Sequence, residues 1–282
     1  SSSWTLLRGV AGADPMLRTR RLLDHGGVTL PDVRCRLPTG RGHAHEAGHH
    51  AIVFVRSGCF VRTADATSNL LDPTQAYCIN PGQEQRYDHP HAGGDDCTSV
   101  WLDPALLASS WGGDPVLPSG PVPSSPWVDL EHRLLLAAAH RGEPADALHE
   151  RALSLVAAAL AQVDPARMES GRPATARARR ALVDDARAAL AVDPDRSLAE
   201  LAATLNVSAT HLSRLFRAAT GHTIARHRMR LRARAALDRL AGGEQQLARL
   251  AADLGFADQS HLCRVIRNET GHTPSSLRRA LS

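Results

Sequence analysis

Three groups of side chains in this sequence could do chemistry. The first is a histidine cluster: His43 and His45 stand two residues apart beside Glu46, with His49, His50, His89 and His91 further on. On an extended strand alternate residues share a face, so two imidazoles at this spacing could grip one metal ion. The second is a set of four cysteines, Cys35, Cys59, Cys78 and Cys97. They would form a thiol or metal sensor if their sulfurs met where charge lowers the thiol pKa. Their separations lack the close pairs of a zinc knuckle, and four small buried strand residues is the plainer reading. The third group is the arginines, which supply every one of the 33 basic residues, for there is no lysine. A guanidinium offers a planar fork of donors suited to phosphate and to guanine.

The charge is divided along the chain. From Arg172 to the end there are 19 arginines against 10 acids, and before it 14 against 19. An acidic N-terminal part and a basic C-terminal part fit a nucleic-acid-binding half joined to something else. The longest apolar run, Leu134 to Ala139, is far too short to span a bilayer. Ser1 to Arg8 lack the basic-then-apolar pattern of a secretory leader. With five cysteines, an odd number, disulfides are not expected, and the cytoplasm is the expected location.

The elements that must position these groups differ between the two parts. Residues 28–102 read as short strands, among them 51–55, 60–61, 77–79 and 98–102, punctuated by Pro and Gly. Residues 112–126 read as a loop. Trp127–His140 and Pro144–Val163 read as helices, then a linker precedes an all-helical remainder from Ala174. That remainder contains a repeat. Leu212–Thr223 aligns with Leu262–Thr273, 50 residues later, with seven of twelve positions identical, including both arginines and the closing Thr, Gly, His and Thr. In the first copy Ser197 and Glu200 form a capping box, and Leu198, Leu201, Ala202 and Leu205 make a helical stripe. Asn206 suits a left-handed turn and Ser208 caps the next helix. That helix turns Leu212, Leu215, Phe216 and Ala219 inward and a polar, arginine-bearing face outward. The second copy repeats the scheme around Leu250, Ala251, Gly255 and Phe256, with a turn one residue longer. Helix, tight turn and helix with an outward basic face is the helix-turn-helix pattern. A single helix, Ile224–Leu240, joins the copies.

Two such units joined by a helix, each closing on Gly, His and Thr, resemble the DNA-binding domain of AraC/XylS-family transcriptional regulators. The matching residues include Leu201, Ala202, Asn206, Arg230, Leu231, Ala233, Leu250, Ala251, Gly255, Phe256 and Pro274. Ile266 departs from the aromatic usual there, which implies a softer second core and a weaker grip. The resemblance implies that each second helix enters a major groove of double-stranded promoter DNA. Thr210, Ser213 and Arg214 would read bases from the first helix, and Gln259, Ser260 and Arg264 from the second. Arg217 and Arg267 would rest on phosphate.

It also implies an α+β multidomain chain. Residues 1–126 would be a cupin-like β-barrel that senses a small-molecule effector, 127–173 helices and linker, and 174–282 the all-α DNA-binding domain. His43, His45 and Gln85 are the effector-binding candidates. No cofactor is required, although His43 and His45 keep a metal ion in view; Gln85 stands where cupin enzymes place a later ligand histidine. The apolar stripe of the second helix, Leu148 to Leu160, either caps the barrel or pairs with its twin in a homodimer. The expected activity is regulation, by activation through RNA polymerase, and not catalysis. A thiol- or metal-responsive regulator and a metal cupin enzyme fused to a DNA-binding domain are the rival readings.

Overall fold

The computed structural model describes residues 17–36, 39–42, 44–111, 116–163 and 174–281. These form two compact units that divide between Val163 and Asp164.

The N-terminal unit is a two-sheet barrel with helices laid over one sheet. The larger sheet runs β1 (Leu17–His25), β2 (Val28–Cys35), β10 (Asp95–Leu102), β5 (His50–Gly58), β8 (Gln75–Ile79) and β11 (Pro121–Pro123) in that spatial order. The smaller sheet runs β3 (Gly40–Arg41), β9 (Glu84–His89), β6 (Phe60–Ala64) and β7 (Thr67–Leu71), with β4 (His45–Glu46) also on β9. Every pairing is antiparallel.

Strand alternation sorts the side chains into two cores. On the inner face of the larger sheet Ala51, Val53, Val55, Tyr77, Ile79 and Cys97 pack against Phe60 and Leu71 of the smaller one. The residues between them, Ile52, Phe54, Ala76, Cys78, Val100 and Leu102, pack the other way, onto helices. A sheet buried on both faces needs apolar residues at consecutive positions, and the run 51–55 supplies them.

The covering helices are α1 (Pro104–Trp111), α2 (Pro126–Arg141) and α3 (Ala145–Leu160). Ser125 caps α2, with Pro126 at its first position, where a missing N–H costs nothing. Leu148, Ala152, Leu155, Val156 and Ala159 of α3 are buried in the helix-side core. The apolar stripe therefore caps the barrel.

The described residues of the C-terminal unit form helices and the turns between them: α4 (Ala174–Val192), α5 (Leu198–Thr204), α6 (Ala209–Thr220), α7 (Ile224–Ala241), α8 (Leu247–Asp253), α9 (Gln259–Thr270) and α10 (Pro274–Leu281). Val183, Ala186 and Leu190 of α4 join Leu201, Ala202, Leu212, Phe216, Ile224 and Leu231 in its first core. Burying a side chain the size of Leu212 or Phe216 contributes about 2–3 kcal/mol. Ala219, expected inward, is exposed, because the helical stripe drifts away from the core past Phe216. No helix among the described residues is long and apolar enough to cross a membrane.

Candidate nucleic-acid interface

The two copies share the stereochemistry of their turns and second helices, while their first helices are capped differently: Gln246 makes no side-chain cap bond on α8. Ser197 and Glu200 close both halves of the capping box on α5, at 3.2 and 2.8 Å. In the turn, Asn206 takes φ 55° and the Val207 N–H donates to the Ala202 carbonyl at 3.0 Å. Gly255 at φ 68° and the bond from Phe256 N–H to the Ala251 carbonyl, 2.9 Å, do the same in the second copy. Ser208 caps α6 and Asp258 caps α9, each accepting from the N–H three residues on. Ala202 and Ala251 are buried, so the paired helices of each unit cross closely.

Both second helices end alike. Gly221 and Gly271 donate to the carbonyls of Arg217 and Arg267 at 2.9 and 2.8 Å. Thr220 and Thr270 bond back to Phe216 and Ile266, and accept from the N–H of His222 and His272. The repeated histidines thus serve the helix end through their backbone. The side chain of His222 also meets His227 at 3.3 Å, and burial, with Arg230 and His227 beside it, lowers its pKa to about 4.

What remains on α6 and α9 faces solvent. Thr210, Arg214 and Arg217 are exposed and Ser213 is half-buried; Gln259, Ser260, Arg264 and Arg267 are all exposed. None of these four arginines has a carboxylate partner among the described residues; Arg214 lies 3.5 Å from His211. Gln259, Arg264 and Arg267, with Thr273 and Ser275, line a shallow groove of about 470 Å³.

The arginines of the connecting helix α7 are used internally. Arg226 pairs with Glu269 at 3.1 Å, and Arg228 donates to the Arg196 carbonyl. Arg232 pairs with Asp195 and donates to the Gly255 carbonyl at 2.7 Å; Arg234 is buried. Part of the basic charge therefore holds the two units on their connecting helix, and part is left free on the second helices.

In the barrel, β6 and β9 turn Arg62, Gln85, Tyr87 and His89 inward. Arg62, 3% exposed, donates through Nε to Gln85 Oε1 at 2.9 Å and lies 4.8 Å from the centre of the Tyr77 ring. The Tyr87 hydroxyl donates to the same Gln85 oxygen at 2.6 Å. Gln85 Nε2 is buried with no hydrogen-bond partner among the described residues. At the far end of β9, His89 meets Asp95 at 2.7 Å, and the Asp95 carboxylate with Cys35 raises the His89 pKa to about 10.

A family profile described as "Helix-turn-helix domain" matches residues 201–280. It covers both units, the connecting helix and most of α10. The C-terminal unit carries an AraC-type helix-turn-helix domain. Among solved structures, ToxT from Vibrio cholerae O395 aligns over 91% of this chain and 98% of its own, at 10% identity and a TM-score of 0.36. A cupin 2 conserved barrel domain protein from Salinispora arenicola CNS-205 aligns over 38% and 87%, at 16% identity and 0.30. KdgF from Halomonas sp. aligns over 36% and 87%, at 14% and 0.29. No curated protein matches the chain.

The AraC-type domain carries its predicted base-reading and phosphate-contacting residues on both second helices; at the 50-residue repeat Thr210, Arg214 and Arg217 match Ser260, Arg264 and Arg267, whereas Ser213 matches Cys263 and Gln259 matches Ala209. The barrel candidates scatter. His43 lies outside the described residues, and His45 is placed only by its backbone, opposite Gln85. Gln85 is inside, bonded to Arg62 and Tyr87, neither of which the sequence reading chose. Phe60, Arg62 and Ala64 alternate inward along β6 beside the apolar run that marks that strand, whereas the polar inward residues of β9 leave no such signal. The four cysteines do not converge on one face. Cys97 lies in the inner core and Cys78 in the helix-side core. Burial raises the Cys78 pKa to about 12 and the Cys97 pKa well above the usual thiol range. Such thiols are poor nucleophiles at neutral pH.

Proposed function

We propose that the protein is a one-component transcriptional regulator in which residues 174–282 read double-stranded promoter DNA and residues 1–126 sense a small molecule. Residues 127–173 would join the two. The observation that carries the DNA assignment is the set of unpaired arginines, Arg214, Arg217, Arg264 and Arg267, on two equivalent, exposed second helices. Major grooves accept such helices, Arg matches guanine and Gln259 matches adenine. Activation through RNA polymerase is the regulatory outcome we infer. A homodimer, if formed, uses surfaces other than the buried stripe of α3.

The sensing assignment rests on the barrel interior. A buried guanidinium without a carboxylate, beside an amide N–H with no acceptor among the described residues, suits a ligand that brings oxygen acceptors. This favours small-molecule sensing over thiol sensing, because burial suppresses the Cys78 and Cys97 thiolates. It also favours a regulator over a cupin enzyme with its metal at this position, because the Gln85 oxygen, the atom that would face an ion, already accepts from Arg62 and Tyr87.

Selection of bound sequences from random duplex DNA by the full chain, followed by affinity measurements across salt concentrations, tests the DNA assignment. A two-part site should emerge, with affinity falling steeply as salt rises through release of condensed counterions. A folded chain that binds no duplex at low salt defeats it.

A further inference from the structure

We propose that Cys35, His89 and Asp95 form a metal site at one end of the barrel, suited to a zinc-type divalent cation. Their donor atoms, a thiol sulfur, an imidazole nitrogen and a carboxylate oxygen, all lie within 4.8 Å of one another. Tetrahedral zinc binds such donors at about 2.0–2.3 Å, which sets neighbouring ligands roughly 3.5 Å apart. Small side-chain shifts close the site without moving the strands. All three residues are buried, at 5%, 4% and 7% exposure, so the cluster is no chance meeting of surface groups.

The sheet register builds this corner. Cys35 is the last residue of β2 and Asp95 the first of β10, and they are direct partners across the ladder, with side chains on the inner face. His89 ends β9 in the other sheet. An ion here would tie the two sheets together. The backbone is drawn in tightly around the site. A Cβ on Gly94 would fall 2.0 Å from the Cys35 carbonyl oxygen, and one on Gly58 2.2 Å from that of Gly94. Arg36 clamps the outside, donating to the carbonyls of Cys35 and Asp95 and pairing with Asp96 at 2.8 Å.

The chemistry of the donors selects the ion. Calcium and magnesium prefer all-oxygen sites, whereas sulfur with imidazole and one carboxylate suits zinc. The Cys97 thiol, two residues from Asp95 on the same face, donates to Asp95 Oδ2 at 3.1 Å. It therefore acts as an outer partner that orients the ligand carboxylate. Three protein donors leave one position of a tetrahedral ion for a further ligand.

The test is metal content of the purified full chain, with cobalt as a spectroscopic probe. About one zinc per chain is expected in the native protein, and less than a tenth of that in Cys35→Ser and His89→Gln. Cys78→Ala, on the opposite face of the larger sheet, should keep its zinc. Because the ligand variants could fail to fold, native protein stripped with chelator is also titrated with cobalt(II). A near-ultraviolet thiolate-to-cobalt charge-transfer band should saturate at one equivalent and vanish when zinc is added. A native chain that holds no stoichiometric metal and shows no such band carries only a hydrogen-bonded cluster, which overturns the proposal. Equal loss of zinc in Cys78→Ala overturns the choice of donors.

Discussion

Arginines of one chemistry do two jobs here, and surroundings decide which. Arg214 and Arg264 project from exposed helix faces without a carboxylate, whereas Arg232 and Arg234 are held against the connecting helix. Arg214→Ala should cost about 1–3 kcal/mol at the selected DNA site and relax preference at one or two base pairs. Competition between the selected site and random duplex measures this; equal loss on both would mean a phosphate contact. Arg234→Ala should instead lower the melting temperature of the protein. His222 gives a second residue-scale expectation. Its folded pKa is about 4, below the ordinary 6.5, so the unfolded chain takes up the proton first. The stabilising contribution of neutral His222 is complete above about pH 6.5 and declines as pH falls toward 4. Denaturant unfolding across that window should show a shallower loss of stability in His222→Gln than in the native protein. A parallel pair of curves would place the acid sensitivity elsewhere.

At the scale of elements, the helix-turn-helix units were legible because their signals are local. Capping residues, stripe spacing and the two turns all lie within about twenty residues, and the repeat shows them twice. The longer second turn follows from Ala251 and Leu262 being eleven apart where Ala202 and Leu212 are ten. Gly255 occupies that turn because its φ is 68°, and a Cβ there would also push on the paired ends of Asp195 and Arg232, 2.5 and 2.8 Å away. Gly255→Ala should therefore destabilise the protein by about 1–3 kcal/mol and weaken DNA binding. Asn206→Gly, at the matching position of the first copy, should be nearly neutral. Chemical denaturation of the two variants checks the contrast, and an equally mild Gly255→Ala would remove the steric argument. The barrel was less legible. Strand β1 was missed, and β9, with Gln85, Tyr87 and His89, does not read as a strand because its inward residues are polar. Cys35, His89 and Asp95 are brought together by pairing register, which no local pattern in the sequence encodes.

At the scale of the whole molecule, a chain that joins a ligand-binding unit to a DNA-binding one is bound by thermodynamic linkage. If an effector changes DNA affinity by some factor, DNA must change effector affinity by the same factor. A molecule that binds the barrel must also stabilise the folded chain, by about 2.7 kcal/mol at a hundred times its dissociation constant. Screening small oxygen-rich molecules by melting temperature should thus find ligands whose stabilisation is lost in Arg62→Leu and Gln85→Leu. These residues meet at 2.9 Å inside the barrel and leave Gln85 Nε2 without an acceptor among the described residues. Each ligand is then titrated with and without the selected DNA site. Matching shifts in the two affinities would establish a sensor. A ligand that binds the barrel and leaves DNA affinity unchanged would reduce the N-terminal unit to a binding module with no regulatory coupling. Stabilisation that survives in both variants would move the site out of this interior altogether.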